Sequence, residues 1–186
     1  KVGHFGTLDP FAEGVLMLGV AGAQRLNEYI HECLPKTYLA KGILGQSTPT
    51  GDLTVEPDHI DDSGPFKTVI PKLTLEDIQD KLGEKYIGEY WQAPHAFSAA
   101  KHKGKSLHKW AREGVEIIKE KKLRHIYTLE VVKYDFPHLW VRCSVSSGTY
   151  VRTLFSDCAK ELGTIGVLES LLREEVGGCK LSNSLN

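Results

Sequence analysis

Leu123-Arg124-His125-Ile126-Tyr127-Thr128-Leu129-Glu130-Val131-Val132-Lys133-Tyr134-Asp135-Phe136-Pro137-His138-Leu139-Trp140-Val141-Arg142-Cys143-Ser144-Val145-Ser146 is the stretch that decides the fold. Its first half, Leu123 to Phe136, is rich in β-branched and aromatic residues. In the second half Leu139, Val141, Cys143 and Val145 alternate with Trp140, Arg142, Ser144 and Ser146. That is the period of a strand with one buried face. Asp135-Phe136-Pro137-His138 between them is turn chemistry, so the two strands are expected to run antiparallel.

Working outward, a helix is expected from about Tyr150 to Leu162. Val151, Leu154, Phe155, Cys158, Ala159 and Leu162 form its stripe, and Gly163 ends it. Ile165 to Val176 reads as a further strand. Toward the N-terminus, Lys36 to Leu44 reads as a strand around Tyr38, and Val15 to Val20 as a short buried one. Between them a helix from Ala23 is expected to bury Leu26, Tyr29, Ile30 and Cys33 and to stop at Pro35. Gln46 to Ile70 is rich in Thr, Pro, Gly and Asp and reads as loop with one short strand. Thr74-Leu75-Glu76-Asp77 has capping-box chemistry and opens a helix striped by Leu75, Ile78 and Leu82. Ser106 is placed to cap a short helix with Leu107, Trp110 and Ala111 inward and Gly114 at its end. Strands outnumber helices, and no regular helical crossovers separate them. The expected class is α+β, with a mixed, mainly antiparallel central sheet and flanking helices.

The bulk numbers fit one globular domain: 186 residues, 41% hydrophobic and 25% charged. No run approaches the roughly 18–20 apolar residues of a membrane span. No secretory signal is visible. The chain opens at Lys1, so a natural N-terminus upstream is expected. Cys33, Cys143, Cys158 and Cys179 form no C-x-x-C pair and no zinc-finger spacing. Cys33, Cys143 and Cys158 fall on apolar faces and are expected to be small buried thiols in a reducing, cytoplasmic setting.

The net charge is −1, but it is unevenly spread. Lys101 to His125 holds nine Lys/Arg against three acids, +6, which leaves −7 for the remainder. Such a patch suits phosphate contact, although charge alone equally describes a solvated lysine-rich loop.

For chemistry, the chain carries no G-x-x-x-x-G-K-[ST] loop, no G-x-S-x-G elbow and no H-E-x-x-H. Phosphate-loop hydrolysis, serine hydrolase chemistry and zinc proteolysis therefore lack support. Gly3-His4-Phe5-Gly6-Thr7-Leu8-Asp9-Pro10 displays one carboxylate between a glycine-rich turn and a proline. Gly3 and Gly6 permit unusual backbone shapes, and Pro10 fixes its own φ. By itself this reads first as a turn aspartate.

Four blocks raise the signal by their identity and order. The first is Gly3-His4-x-Gly6-Thr7-Leu8-Asp9-Pro10, followed by Gly14-Val15-Leu16. Then come Lys36-Thr37-Tyr38, and Gln92-Ala93-Pro94-x-x-x-Ser98-Ala99-x-Lys101-x-x-Gly104-Lys105-x-Leu107 through Ala111-Arg112-Glu113-Gly114. The last is Ser147-Gly148-Thr149-Tyr150-Val151-Arg152-Thr153, with Asp157 beyond it. In this order they resemble the TruB family of tRNA pseudouridine synthases over nearly the whole chain.

The resemblance implies a pseudouridine synthase fold and the isomerisation of a T-loop uridine (position 55) in tRNA. Asp9 then falls on the catalytic aspartate, Tyr38 on the tyrosine that stacks on the target base, and Arg152 on the arginine paired with the carboxylate. Arg152 lies in the first turn of its helix, beside the apolar stripe. His4 falls on the histidine wedged into the T-loop, and Leu171 on an apolar residue of the uracil pocket. Gly6 and Tyr150 complete the implied substrate-binding set. Residues 90–122 resemble a thumb-like insertion, in which Lys101, Lys103 and Lys105 would meet phosphates and position the RNA. The implied partner is the tRNA T-arm, met by a monomer away from membranes. Since the reaction conserves atoms, no cofactor and no metal are implied.

The chain departs from the family pattern at Phe5, where threonine is usual, and at His95, where a second proline is usual. Ser47 to Asp52 matches a Thr/Asp-rich loop loosely. An Asp-Lys-Pro motif and a full PUA domain are expected to be missing. Two other readings stay open on sequence: a synthase acting on another RNA such as rRNA, and an RNA-binding or tRNA-folding module that needs no nucleophile.

Overall fold

The computed structural model describes residues 1–95, 97, 101–115, 117 and 120–185. Its main elements are β1 (Val2–His4), β2 (Leu18–Val20), α1 (Asn27–Cys33), β3 (Lys36–Leu44), α2 (Leu75–Tyr86), β4 (Gly88–Gln92), β5 (Lys122–Asp135), β6 (His138–Val145), α3 (Val151–Glu161) and β7 (Gly166–Val176). Among the described residues a seven-stranded sheet runs in the order Cys179–Lys180, β7, β3, β6, β5, β4. Every neighbouring pair in that path is antiparallel. The seventh strand, Glu13–Gly14, runs parallel to Leu172 and Arg173 at the side of β7. The α+β expectation therefore holds, with a mainly antiparallel sheet as read from β5 and β6.

The β5–β6 hairpin turns at Phe136-Pro137, with Asp135 opposite His138. Leu139, Val141, Cys143 and Val145 are all buried, as their alternation predicts. In β3 the buried set is Lys36, Tyr38, Ala40, Gly42 and Leu44. Gly42 has a packing reason. The Phe155 ring lies so close that a Cβ at 42 would come within 2.3 Å of it. The missing side chain lets α3 settle onto the sheet. The α3 stripe is buried throughout, from Val151 to Leu162.

Beside α3, α2 packs on β5. Thr74 and Asp77 exchange capping-box hydrogen bonds at its start. Ile78 and Leu82 are fully buried, which stabilises the fold by about 1.5–3 kcal/mol each. Leu75, expected in the stripe, stands 40% exposed, and Tyr86 is buried at the helix's other end. Tyr86 donates through Oη to the Asp157 carbonyl at 2.8 Å, tying α2 to α3.

Several expectations need correction near the N-terminus. Val15 is buried, but the strand that follows is only Leu18–Val20, and it pairs with β1 as a surface ribbon. Leu18 and Val20 are exposed. The buried contact is Gly19 against Phe5, so Phe5 packs inside the ribbon and forms no open wall. The helix before Pro35 begins as a 3-10 turn (Ala21–Leu26) and continues as α1. Leu26, Tyr29 and Cys33 lie exposed on it. A helical period alone cannot show whether anything covers the face. Cys143 and Cys158 are buried as expected, and Cys179 is exposed.

Residues 46–70 hold two short strands, Gln46–Ser47 paired with His59–Ile60, and a helix, Gly64–Thr68. The insertion read at 90–122 has both ends in the sheet, because Gln92 pairs with Lys122 in the β4–β5 ladder. The connection between these two strands is 93–121. It includes a small hairpin (Lys101–His102 with Lys105–Ser106) and a helix, Leu107–Arg112, with Leu107 buried. Gly114 follows with φ +73°. Ser98 and Ala99, and the side chains of Lys101, Lys105, Ser106 and Ala111, lie outside the described residues.

Candidate active site

Asp9 sits on the loop between β1 and Glu13–Gly14. Gly6 opens that loop at φ +105°, a conformation that L side chains rarely adopt. The Asp9 carbonyl then turns the chain by accepting the Ala12 N–H at 2.9 Å. Arg173, 1% exposed, fastens both ends of the loop. It donates from Nε to the Val15 carbonyl at 2.7 Å and from Nη2 to the Gly6 carbonyl at 3.1 Å. The Val15 N–H in turn donates to the Arg173 carbonyl at 2.9 Å.

Arg152 comes from the first turn of α3 and is 5% exposed. Its Nη2 donates to Asp9 Oδ1 at 2.9 Å and to the Phe97 carbonyl at 3.2 Å. Its Nη1 donates to the Thr50 carbonyl at 2.6 Å and to Asp52 Oδ2 at 3.3 Å. Asp52 is itself buried. Its Oδ1 accepts from Thr50 Oγ1 at 3.0 Å, from the Thr54 N–H at 3.1 Å and from the Thr54 hydroxyl. One guanidinium thus bridges two carboxylates from separate loops.

Burial raises the Asp9 pKa above the ordinary carboxylate value. Arg152 opposes that rise, and the negative Asp52 adds to it. Asp9 is the more open partner, with a side chain 34% exposed. It is positioned as a carboxylate that is accessible yet held by a permanent cation.

Tyr38 stands directly opposite Arg173 in the β3–β7 ladder. Burial pushes its phenol pKa up although Arg173 favours the phenolate. It is therefore a neutral aromatic surface with a hydroxyl. Lys36, two residues earlier on the same face, donates from Nζ to Ser147 Oγ at 3.0 Å. Burial and the Arg173 charge push its pKa down to about 8.

These groups line a cavity of about 590 Å³. That volume lies in the ordinary range for small-molecule sites. Of the residues singled out in the sequence, it brings together Gly6, Asp9, Tyr38, Tyr150, Arg152 and Leu171. Leu171 neighbours Arg173 on the same face of β7 and supplies an apolar wall. An anion, a fixed cation, an aromatic ring and an aliphatic wall can hold a planar ring against a carboxylate. His4 is exposed on β1 and is not among the cavity-lining residues. Lys103 is exposed at φ +48° in the β4–β5 connection and is not among the cavity-lining residues. Among the described residues no three His, Cys, Asp or Glu side chains converge as metal ligands.

Sequence reasoning missed Asp52, Arg173 and Gln92 as parts of this site. Arg173 was findable, because it alternates with Leu171 in the segment read as a strand, which puts the two on one face. Asp52 lay in the Thr/Asp-rich loop, where nothing local marks a buried carboxylate. Gln92, 3% exposed, grips Tyr150 across 58 residues, a contact set only by the tertiary fold.

Known proteins similar to this chain match it along most of its length. The model of the TruB family pseudouridylate synthase (N terminal domain) matches residues 1–151. A tRNA pseudouridine synthase B of Dehalococcoides mccartyi (strain BAV1) is 38% identical over 188 residues, spanning 100% of this chain and 59% of that protein. One from Caldanaerobacter subterraneus subsp. tengcongensis is 41% identical over 187 residues, spanning 99% of this chain and 62% of that protein. The chain thus spans about three-fifths of the length of these curated relatives. Among solved structures, a chain from the crystal structure of a Cbf5-Nop10-Gar1 complex superposes with a TM-score of 0.67 at 24% identity. That superposition covers 97% of this chain and 41% of the other. At that identity the likeness speaks for the fold. The family match covers Asp9, Tyr38 and strands β1 to β6, and on it the chain belongs to the TruB family of pseudouridylate synthases.

Proposed function

We propose that this chain isomerises a uridine of tRNA, the T-loop uridine at position 55, to pseudouridine, with Asp9 as the catalytic carboxylate. The observation that carries the reading is the Asp9–Arg152 ion pair of 2.9 Å at a cavity shared with Tyr38. The relatives' name, tRNA pseudouridine synthase B, supports tRNA as the substrate.

The reaction breaks the N1–C1′ bond of uridine, forms a C5–C1′ bond, and exchanges a C5 proton for one at N1. The uracil must leave its stack, at a cost of about a few kcal/mol. Stacking on Tyr38 returns roughly 1–3 kcal/mol of that. Leu171 closes the apolar side of the ring, and Arg152 keeps Asp9 available as an anion. His4 would enter the T-loop, and Gly6 and Tyr150 would bound the flipped nucleotide. Segment 93–121, with Lys101, Lys103 and Lys105, would close on the T-arm through phosphates. The proposed acting species is a monomer that meets the tRNA T-arm. No helix among the described residues is long and apolar enough to cross a membrane, and the proposed setting is the cytoplasm.

Mass-spectrometric mapping of pseudouridine in tRNA and rRNA after incubation with the chain tests this reading. Product at the T-loop uridine is expected. Tritium release from 5-tritiated uridine in tRNA should vanish in Asp9→Asn, with tRNA affinity nearly retained. Undiminished release by that variant would overturn the role of Asp9. Product in rRNA alone would overturn the substrate.

A further inference from the structure

Helix α3 carries Arg152 but lacks a cap of its own, since the Tyr150 side chain at its N-cap accepts no hydrogen bond. The N-cap backbone is held instead by Gln92, 58 residues away. The Tyr150 N–H donates to Gln92 Oε1 at 2.7 Å, and Gln92 Nε2 donates to the Tyr150 carbonyl at 3.0 Å. The two bonds fix which end of the amide faces which group, because only the oxygen can accept and only the nitrogen can donate. The second amide hydrogen points toward Tyr90 Oη at 3.4 Å. Tyr90 in turn donates to Asp157 Oδ2 at 2.6 Å, further along α3. Gln92 is 3% exposed and Tyr90 7%, so these bonds form away from competing water.

Gln92 is also the last residue of β4, where the sheet gives way to the β4–β5 connection. Five residues on, the Phe97 carbonyl accepts from Arg152 Nη2, the same nitrogen that binds Asp9. Between them His95 Nδ1 accepts the Phe97 N–H at 3.1 Å. The start of the β4–β5 connection therefore grips Arg152 at both ends: the backbone two residues before it, and its head group.

We propose that Gln92 is a positioning residue, whose side-chain amide holds the Tyr150 backbone and so sets where Arg152 meets Asp9. It rests on the reading of this cavity as the active site. Gln92 touches none of the proposed reacting groups. It acts through the placement of α3, and it links that placement to the segment proposed to close on RNA.

The test compares the parent chain with Gln92→Glu and Gln92→Ala. In Gln92→Glu a carboxylate faces the Tyr150 carbonyl, whereas a protonated carboxyl restores one donor and one acceptor. Single-turnover conversion of tRNA by Gln92→Glu at pH 8 is expected to fall about 10–100-fold, the usual scale for a misplaced catalytic group. The tRNA Kd should stay within twofold, and the deficit should narrow as pH falls toward 6. A rate equal to the parent's, a deficit independent of pH, or a loss confined to Kd overturns the proposal. A second arm needs no activity. NMR titration of the Asp9 carboxyl should place its pKa higher in Gln92→Ala than in the parent, because Arg152 withdraws. An unchanged titration overturns the proposal even if the parent makes no pseudouridine, an outcome that would separately sink the functional reading.

Discussion

Arg152 donates through Nη1 to Asp52 at 3.3 Å, an ion pair in which both side chains are buried. With Asp9 ionised, the cluster of one cation and two anions carries a net negative charge. That excess is one cause of the raised Asp9 pKa. Asp52→Asn removes it while keeping a side chain of the same shape. Asp9 is then expected to ionise at lower pH, and the acid limb of the activity profile should move down with it. Arg152 keeps Asp9 and the Thr50 carbonyl as partners, so the stability cost is expected at about 1–3 kcal/mol, below that of breaking an isolated buried pair. A pH-rate profile and a urea titration check the two halves. An acid limb that stays in place would sink the electrostatic part.

The sign for Asp9 itself runs the opposite way from that of a well-paired surface aspartate. Its folded-state pKa is raised, so the folded protein holds the proton more tightly than the unfolded chain does. The stability this provides is present at low pH and disappears as pH rises through the folded pKa. Activity shows the mirror image, because the reactive carboxylate disappears as pH falls through that same raised value. Asp9→Asn should therefore be inactive yet more stable than the parent at pH 7, with the gap closing toward pH 4. Chemical denaturation at both pH values measures this, and a variant less stable at pH 7 would contradict it.

How far the molecule was legible depended on the distance over which each signal acts. The β5–β6 hairpin and the α3 stripe followed from periods of two and 3.6, which need only the chain itself. The same reasoning failed at α1, where Leu26, Tyr29 and Cys33 keep the period but meet solvent. Asp9, Tyr38 and Arg152 were found because the family motif names them, whereas their convergence is a property of the sheet. Asp52 and Gln92 act through contacts across 100 and 58 residues, and no local pattern encodes those.

Arg173 offers a direct test of how the Asp9 loop is held. It donates to carbonyls at Gly6 and Val15, either side of Asp9, and nearly all of it is buried. Lysine presents a point charge and lacks the planar fork that spans two carbonyls. Arg173→Lys should leave one carbonyl unpaired and cost about 1–3 kcal/mol in urea denaturation. Turnover should fall more than tRNA affinity, because the loop carries the carboxylate and not the proposed phosphate contacts. A variant that matches the parent in both measurements would show that the loop holds its shape without this arginine.

Lys36 brings a buried cation beside another, and its pKa drops from 10.5 to about 8. Between those values the unfolded chain binds more protons than the folded one, so this residue makes stability rise with pH. Below about pH 8 both states are protonated and its full cost is present. Lys36→Met should accordingly stabilise the protein at pH 7 by about 1–3 kcal/mol. The advantage should shrink between pH 8 and pH 10. Taking the difference between variant and parent at each pH cancels the buried tyrosines and cysteines, whose values burial pushes up in the folded protein and which therefore add their own pH dependence. A difference that does not change with pH would mean that Lys36 is solvated in the folded state.

The β4–β5 connection is the part of the proposed RNA surface that rests most on charge, and salt is the way to question it. Lys103 is exposed, and Lys101 and Lys105 flank it in the sequence. If these three meet tRNA phosphates, each releases counterions when it binds. Replacing all three by Gln should lower affinity at about 50 mM salt, where phosphate contacts are strongest. It should also reduce the slope of log K against log salt by about one for each lysine–phosphate pair removed. Conversion at saturating tRNA should change little, since Lys103 lies off the cavity. Filter binding across a salt series, paired with turnover at saturation, separates phosphate contact from catalysis. An unchanged slope would return the three lysines to an ordinary solvated surface.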